Sequence, residues 1–302
     1  MDYGRELQFG FFLTPDATSY PEVTQLARLC DRLGLDLIGI QDHPYQRRFF
    51  DTWTLIAYLS AQTERVHFFP DVANLPLRPP AMLAKAAASL DILSAGRFEL
   101  GLGAGAFWDG IRAMNGPSRT PGEAVAALEE AIQIIRLMWS AGRGLRYDGK
   151  YYELRGAHGG PAPTHPIGIW LGAYGPKMLD LTGQSAEGWV PSSSYAPPEK
   201  LNNMQARIDD AAAQAGRNPG DIQRLYNING LITAEKSEGF LIGPASRWVD
   251  ELTRLALDQG IDTFIFSPVE SPAVQLDLFT SEVIPRVREN VAQGRLGKLI
   301  TS

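Results

Sequence analysis

The sequence predicts an α/β fold, a (β/α)8 TIM barrel that forms a single domain over residues 1–302. Strand-like and helix-like segments alternate along almost the whole chain, which is typical of a parallel sheet with crossover helices. A length of 302 residues and an apolar fraction of 44% suit one barrel with a large core. One helix–strand unit, residues 78–105, ends in glycines at positions 101, 103 and 105, which leave room for a flat ligand against the backbone.

The elements follow in order from hydrophobic periodicity and from Gly and Pro punctuation. The strands are expected at residues 8–13, 35–41, 66–72, 98–103, 167–171, 188–191, 225–233 and 262–266. The helices are expected at residues 21–33, 52–62, 79–95, 121–139, 177–184, 198–215 and 246–259, with a final helix through 290. Insertions follow mainly the fourth and seventh strands. Residues 104–120 are expected to form a loop, and the Gly- and Pro-rich residues 142–166 a small hairpin or lid.

The helix of the central unit begins with two prolines and stops at a glycine. Pro79 and Pro80 suit the first helical positions, where a missing N–H sacrifices no hydrogen bond. Gly96 is expected to cap the helix in the left-handed conformation. Apolar residues at three- and four-residue spacing predict one buried face, which consists of Met82, Leu83, Ala86, Leu90 and Leu93.

Composition narrows the class of partner. A net charge of −6 and a pI near 5.3 argue against nucleic acid or an anionic membrane. The sequence contains no run of 18 apolar residues and no basic segment followed by an apolar one at its start. The one cysteine, Cys30, lies in an apolar helical pattern and is expected to be a buried small hydrophobe. We therefore expect a cytoplasmic protein that acts on a small molecule.

Polar residues follow the second predicted strand, where the working site of such a barrel forms. Asp42 and His43 leave this strand together, and an imidazole there can move protons or donate hydrogen bonds near neutral pH. The alternative is structural: Asp42 caps the next turn and His43 is an ordinary loop histidine. Position alone leaves both interpretations open.

Two other strand ends carry weaker signals. Pro70 breaks the hydrogen-bonding pattern of the third strand and predicts a bulge there. Residues 172–177, Gly-Ala-Tyr-Gly-Pro-Lys, lead directly into a helix whose free N–H groups favour phosphate, although Lys177 also fits an ordinary solvated charge. Phe107 and Trp108 either line an apolar substrate pocket or pack under their loop. The sequence has no metal-ligand spacing and no GxSxG motif.

Together these segments resemble the bacterial-luciferase-like superfamily of flavin- and deazaflavin-dependent oxidoreductases. The resemblance covers nearly the whole chain. It is carried by the Asp42–His43 pair, RPPAMLAKAAASLDILSAGRFELGLGAG at 78–105, IWLGAYGPKMLDLTGQSAEGW at 169–189 and GIDTFIF at 260–266. It implies a barrel that holds FMN or the 8-hydroxy-5-deazaflavin coenzyme F-420 (F420 below) at its C-terminal mouth.

The resemblance also implies roles for individual residues. A bulge with a non-proline cis peptide supports the ring of the cofactor and falls at Asp71–Val72. Asp42 and His43 match the pair that contacts the cofactor edge and the substrate, and Asn74 lies where a polar side chain approaches the ring. The remaining expected positions are Gly103 and Gly105 at the ring, Ala173, Tyr174, Gly175, Pro176 and Lys177 at the phosphate-bearing tail, and Phe107 and Trp108 at the substrate.

The Asp-His ending of the second strand resembles the deazaflavin-dependent branch, in which hydride moves at C5 of the ring. F420 is therefore the expected cofactor, with FMN as the alternative. Ala106 stands where the sugar-phosphate and alcohol dehydrogenases of the family carry a catalytic glutamate, which favours a hydrophobic or planar substrate. Two other functions stay open, an FMN-dependent monooxygenase that uses reduced flavin and oxygen and a non-catalytic flavin-binding protein. The resemblance further implies a homodimer.

Overall fold

The computed structural model describes residues 2–235 and 239–301. In chain order the strands are β1 (Gln8–Leu13), β2 (Leu37–Ile40), β3 (His67–Pro70), β4 (Ala73–Asn74), β5 (Leu100–Gly103), β6 (Leu145–Asp148), β7 (Glu153–Ala157), β8 (Ile169–Leu171), β9 (Gly188–Trp189), β10 (Gln223–Ile232), β11 (Ile242–Gly243) and β12 (Thr263–Pro268). The helices are α1 (Tyr20–Leu33), α2 (Thr52–Ser60), α3 (Pro80–Leu93), α4 (Trp108–Ala113), α5 (Pro121–Trp139), α6 (Pro176–Ser185), α7 (Pro198–Gln214), α8 (Ala245–Gln259), α9 (Pro272–Leu278) and α10 (Ile284–Thr301).

The central sheet is parallel and nearly closed. Its strand order is β3-β2-β1-β12-β10-β9-β8-β5-β4, and β4 continues the path of β3 after a two-residue break. The Phe68 N–H donates to the Arg97 carbonyl at 2.9 Å and the Glu99 N–H donates to the Phe68 carbonyl at 3.0 Å, which links the two ends of the sheet. The predicted α/β barrel is confirmed.

The inside of the barrel is filled by apolar side chains, which alternate along each strand with side chains that face the surrounding helices. One cluster takes a residue from each of five strands and one from the position directly after β9, namely Leu37, Phe69, Trp170, Leu225 and Ile265 with Val190, all buried. The Phe69 ring lies over Gly39, where a Cβ atom would come within 2.8 Å of it. This packed layer lies beneath the mouth of the barrel and supports the groups above it.

Several predicted element ends hold. Helix α3 is an exception, because it ends at Leu93 with Ser94 as its C-cap, and Gly96 follows in the left-handed conformation with a φ of 84°. Strand β1 and helix α5 have the predicted ends. Pro121 is the first residue of α5, and Thr120 and Glu123 form a reciprocal capping box at its start. Helix α1 ends at Gly34, whose φ of 76° is left-handed.

The predicted buried face of α3 is wrong at two positions. Met82 is 62% exposed and Leu93 is 79% exposed. The buried stripe consists of Leu83, Ala84, Ala87, Ala88 and Leu90, because α5 packs on the alanine side of the helix. Small side chains allow that close approach, and the Trp139 indole N–H reaches the Ala84 carbonyl at 3.0 Å. The spacing of apolar residues predicted that one face of α3 is buried, but the position of α5 determines which face that is.

The insertion after the fourth barrel strand differs from its prediction in one part. Residues 104–120 contain helix α4 rather than a continuous loop. Residues 142–166 contain the predicted hairpin, formed by the antiparallel strands β6 and β7. The Glu130 carboxylate of α5 accepts from the backbone N–H groups of Lys150, Tyr151 and Tyr152, which holds the hairpin against the barrel helices.

The insertion after the seventh barrel strand contains β11, which pairs with the end of β10, and its residues 236–238 lie outside the described part of the chain. Cys30 is fully buried, as predicted, and burial raises the pKa of its thiol. Within residues 2–235 and 239–301, no helix combines the length and the apolarity that crossing a bilayer requires.

Candidate active site

A cavity of about 710 Å³ opens at the C-terminal ends of the barrel strands. Barrels of this type form their sites at this end, because the loops that follow the strands converge there. Most of the expected site residues line it, namely Asp42, His43, Asp71, Val72, Asn74, Gly103, Gly105, Phe107, Tyr174 and Gly175. The structure therefore brings the second, third, fourth and fifth strand ends together around one space.

The Asp42 carboxylate forms a buried link between two sides of the site. Its Oδ2 accepts from the Asn74 backbone N–H at 3.0 Å and from Arg78 Nε at 3.2 Å. Arg78 also pairs with Asp51 and lies 5.6 Å from the centre of the Trp53 ring. Because the carboxylate is fully buried and Arg78 neutralises it, Asp42 positions the Asn74 backbone through this contact.

The His43 imidazole lies in an aromatic corner of the cavity. Its Nδ1 is 2.6 Å from the Tyr45 hydroxyl, and the Phe107 ring meets it edge-on at 5.4 Å. Burial lowers the pKa of His43, and the nearby Asp42 carboxylate raises it by less. The ring is therefore neutral near pH 7, a state in which one nitrogen donates a hydrogen bond and the other accepts.

The peptide bond between Asp71 and Val72 is cis, at the position that the family resemblance implied. The Val72 side chain projects from this bulge between two glycines of neighbouring strands. A Cβ atom at Gly103 would lie 2.8 Å from Val72 Cγ2, and one at Gly172 would lie 3.1 Å from it. The glycines therefore admit the bulge into the top of the barrel and leave its upper side open.

Asp71 and Asn227 meet across the interior of the barrel at the base of the cavity. The Asn227 side-chain amide donates to Asp71 Oδ1 at 3.1 Å, and Asp71 Oδ2 lies over Gly39. Burial raises the pKa of Asp71 to about 7, and the bond from Asn227 opposes that shift. Near neutral pH this carboxyl group therefore keeps its proton for a substantial fraction of the time.

The pKa of Asp71 predicts how stability varies with pH. The folded protein holds this proton up to about pH 7, whereas the unfolded chain releases it near 3.8, so stability falls as pH rises between these values. We expect Asp71→Asn to remove that decline, so that between pH 5 and pH 7 it gains on the order of 2 kcal/mol relative to the native protein. Urea denaturation at pH 5, 7 and 8 checks this, and parallel pH profiles for both proteins would contradict it.

The opposite wall carries two tyrosines. Tyr174 and Tyr195 have ring centres 5.5 Å apart, and the Ser192 backbone N–H donates to the Tyr174 hydroxyl at 3.0 Å. The Asn227 amide also donates to Ser192 Oγ at 3.3 Å, which connects this wall to the base. The cavity therefore has aromatic side chains around it, with Tyr45 and Phe107 in one cluster and Tyr174 and Tyr195 in another, and a polar base.

Four expected site residues do not line the cavity. Trp108 packs under the loop, since a Cβ atom at Gly105 would lie 2.8 Å from its ring. Ala173 is buried and its carbonyl accepts from the Trp189 indole at 2.9 Å. The other two, Pro176 and Lys177, form the exposed first turn of α6. Their part in binding a phosphate-bearing tail stays a prediction.

No motif in the sequence singled out Tyr45, Ser192, Tyr195 or Asn227, all of which line the cavity. One of them could have been found from the sequence pattern of its strand. Asn227 lies on the same side of β10 as the buried Leu225, so a polar residue interrupts the inward-facing positions of that strand. The other three lie in irregular segments, where no periodicity shows which way a side chain points.

Three buried polar atoms of the cavity lack hydrogen-bond partners and indicate which groups a ligand would supply. Asp71 Oδ2, Asn74 Oδ1 and Asn227 Oδ1 are buried and lack a hydrogen-bond partner in the described part of the chain. Polar groups left in this state are costly, so a ligand or water that supplies N–H or O–H groups would stabilise the two amide oxygens and the ionised form of Asp71. Combined with the glycine-lined bulge, they fit a flat heterocycle with its own donors. The described residues contain no cluster suited to a metal ion.

Fold and site together define an α/β barrel whose mouth holds one cavity with aromatic sides and a polar base. A family model described as luciferase-like monooxygenase matches residues 3–238, and the chain belongs to that family. It is therefore an oxidoreductase of the luciferase-like type, and the resemblance noted in the sequence is confirmed.

Two curated relatives are similar in sequence. The F420-dependent glucose-6-phosphate dehydrogenase of Microbacterium testaceum is 28% identical over 232 residues, which cover 74% of this chain and 67% of that protein. The 5,10-methylenetetrahydromethanopterin reductase of Archaeoglobus fulgidus is 30% identical over 211 residues, or 70% of this chain. The chain matches 60% of that reductase, less than two thirds of its length.

Two solved structures share the fold. An F420-dependent secondary alcohol dehydrogenase in complex with an F420–acetone adduct superposes with a TM-score of 0.84 at 17% identity, covering 94% of this chain and 99% of the other. The oxygenating constituent of the 3,6-diketocamphane monooxygenase of Pseudomonas putida, in complex with FMN, gives a TM-score of 0.76 at 17% identity, covering 94% and 99%. At these identities the likeness concerns the fold alone.

Proposed function

We propose that this chain is an F420-dependent oxidoreductase that transfers hydride between C5 of the coenzyme and an organic, hydrophobic or planar substrate. The observation that carries the proposal is the cavity itself, in which a glycine-lined cis bulge and unpartnered buried acceptors lie beside a neutral histidine. The two curated relatives named above are F420-dependent or methanopterin-linked enzymes, which supports the same class. The bound deazaflavin would supply the hydride, and the protein would supply orientation and electrostatics.

The residues that would hold the ring lie on three sides of the cavity. Val72 would support it from below, and Asn74 offers an unpartnered carbonyl oxygen. Gly103 and Gly105 also line the cavity, and their missing side chains let the neighbouring Val72, Pro76 and Trp108 pack close to the backbone. The tail with its phosphate would lie towards the start of α6, at residues 173–177. Gly175 supplies no side-chain cap to the free N–H groups there, and such groups favour anions.

His43 would contact both the coenzyme and the substrate, because it lies on the wall next to the bulge. Its neutral state allows it to donate a hydrogen bond to an acceptor atom of the substrate and to polarise it there. The burial that lowers the pKa of His43 also keeps this donor uncharged across the physiological range. In this proposal His43 is the catalytic residue.

The lining of the cavity favours an uncharged substrate. Its described lining residues include neither lysine nor arginine, so a sugar phosphate would find no cationic partner there. Ala106 stands where the family resemblance places the catalytic glutamate of the sugar-phosphate dehydrogenases. Phe107, Tyr174 and Tyr195 instead provide aromatic surface around the opening. A planar or hydrophobic organic molecule fits this wall best.

An FMN-dependent monooxygenase is the second candidate. The FMN-bound neighbour in the same fold and the monooxygenase description of the family favour it. It predicts oxygen consumption with reduced FMN, whereas the F420 enzyme consumes none. A non-catalytic flavin-binding protein is the third candidate and predicts tight binding without substrate-dependent oxidation of the reduced cofactor.

Titration of the purified protein with oxidised F420 and, separately, with FMN tests the proposal. The six tryptophans provide the signal, and Trp108 lies under the loop that lines the site. We expect quenching by F420 with a Kd at least about tenfold below that for FMN, or about 1.4 kcal/mol. Tighter binding of FMN would move the function to the monooxygenase, and binding of neither would contradict the cofactor site.

The family resemblance also supports three statements about the whole protein. We propose that residues 1–302 form one domain, that the protein is a homodimer and that it works in the cytoplasm. Light scattering coupled to gel filtration tests the dimer, for which we expect about twice the chain mass of 33.1 kDa. A mass equal to that of one chain would contradict it.

A further inference from the structure

We propose that Tyr45 is a positioning residue for His43: its hydroxyl donates to Nδ1 and holds the imidazole as the tautomer that carries its proton on Nε2. This inference rests on the proposed function, because it specifies how His43 would meet a ligand. It predicts that His43 acts as a neutral hydrogen-bond donor and not as a base.

The geometry that carries the inference is a short contact within a tight turn. Tyr45 Oη lies 2.6 Å from His43 Nδ1, which is a strong hydrogen-bond distance. The Gln46 backbone N–H donates to the His43 carbonyl at 2.9 Å, so the chain turns back at this point. Pro44 lies between the two partners and restricts the backbone φ angle. The local chain therefore brings the phenol to one nitrogen of the ring.

The direction of this bond follows from the acidity of the two groups. Burial raises the pKa of Tyr45 to about 12, so the phenol keeps its proton, and burial lowers the pKa of His43. An unprotonated imidazole nitrogen is a far better acceptor than a phenol oxygen, and a phenol is a better donor than a neutral imidazole N–H. The favoured arrangement is thus O–H to Nδ1. The partner of one ring nitrogen sets the tautomer, so the proton is left on Nε2.

Tyr45 is itself fixed by the insertion after the fourth barrel strand. A Cβ atom at Gly110 of α4 would come within 2.7 Å of Tyr45 Cγ, so the tyrosine ring packs directly on this glycine. The Phe107 ring, which precedes α4, lies 6.2 Å from the Tyr45 ring and 5.4 Å from the His43 ring. The insertion therefore holds the phenol against the imidazole from the side opposite the barrel.

The surroundings of His43 favour an uncharged donor. The charged groups that bear on the ring are Asp42, next to it in the chain, and Arg78, which neutralises Asp42. The segment packed against the other side contributes Phe107, which carries no charge. A neutral imidazole N–H in such a site can polarise an acceptor atom without adding a full charge.

The tautomer can be measured directly in the protein without cofactor. The chain has four histidines, so ¹⁵N-histidine NMR gives few signals, and the spectrum of His43→Ala assigns those of His43. We expect the Nε2–H pattern in the native protein from pH 7 to 9. In Tyr45→Phe we expect a mixture of tautomers and a higher pKa for His43, because the phenol bond stabilises the neutral ring.

Two results would overturn the inference: an Nδ1–H or imidazolium pattern in the native protein at pH 7, or a Tyr45→Phe variant whose tautomer and pKa are unchanged. The native spectrum decides the direction of the bond even where a variant folds poorly. Tyr58→Phe is the matched control, since it removes a hydroxyl from the exposed Tyr20–Tyr58 pair and should leave the His43 signals unchanged.

Kinetics adds a separate readout. With F420 and a reducible substrate, Tyr45→Phe should lower kcat about tenfold with KM nearly constant, and the pH profile should shift with the pKa of His43. A rise in KM alone would contradict positioning of the catalytic group. Failure to bind F420 at all would defeat the proposed function while the NMR result still decides the tautomer, so the two failures are distinguishable.

Discussion

Replacing His43 with alanine is expected to lower turnover by about 100-fold or more, the range that a positioned acid, base or donor contributes. The imidazole lies in the cavity wall, is neutral near pH 7 and has its Nδ1 engaged by Tyr45. Alanine removes the donor and leaves the bulge and the glycines in place. The Kd for F420 should therefore change by no more than about threefold, or about 0.7 kcal/mol. Steady-state kinetics and the tryptophan titration measure the two quantities.

His158→Ala is the matched control, because His158 is exposed in the insertion and lies outside the cavity lining. It should retain native turnover. If His43→Ala stays within about twofold of the native rate, His43 has no catalytic role and the proposed chemistry fails at its central residue. A variant that loses F420 binding instead would make His43 chiefly a binding residue.

Arg78→Met is expected to destabilise the fold by about 3 kcal/mol, because it leaves the Asp42 carboxylate buried without its charge partner. Asp42 is 1% exposed, and the remaining contact seen for it is the Asn74 backbone N–H. Methionine keeps much of the bulk that packs on Trp53, so most of the loss reflects the unpaired charge. Urea denaturation at pH 7 provides the measurement, as a lower midpoint with an unchanged slope.

The control is a second ion pair between an arginine and an aspartate, which lies on the surface. Arg112→Met breaks the Arg112–Asp109 contact, in which Asp109 is 92% exposed, and should leave the midpoint nearly unchanged. Adding Asp42→Asn to Arg78→Met should recover part of the loss, since it removes the buried charge. A loss below about 1 kcal/mol in Arg78→Met, or no recovery in the double variant, would show that the pair does not support this side of the site.

Local signals predicted the elements well where a cap or a repeat decides the structure. Helix α5 runs from Pro121 to Trp139 as predicted, and its start follows from a capping box that lies within four residues. The family resemblance located the cis bond at Asp71–Val72, and the structure has it there. The predicted buried face of α3 was wrong at Met82 and Leu93, because the exposure of these side chains depends on where α5 packs.

In the site, too, local sequence predicted which residues lie at a strand end, whereas only the packing showed what they contact. Asp42 and His43 were visible as a polar pair at a strand end, yet the sequence left open whether they serve structure or chemistry. The structure pairs Asp42 with Arg78, 36 residues away, and joins His43 to Tyr45 and the Phe107 ring. Both residues line the cavity, Asp42 as a buried carboxylate that accepts from the Asn74 backbone and His43 beside Tyr45 and the Phe107 ring.

The sequence by itself determined the barrel, the order of its elements and the strand ends that form its mouth, because periodicity, caps and turn residues act over a few neighbouring positions. Only the tertiary structure decided which side chains meet. Asp71 and Asn227 are 156 residues apart and touch because barrel closure brings β10 across from the bulge after β3. The raised pKa of Asp71 and the neutral state of His43 arise from that burial, since desolvation depends on all the elements packed around a group and not on its own segment.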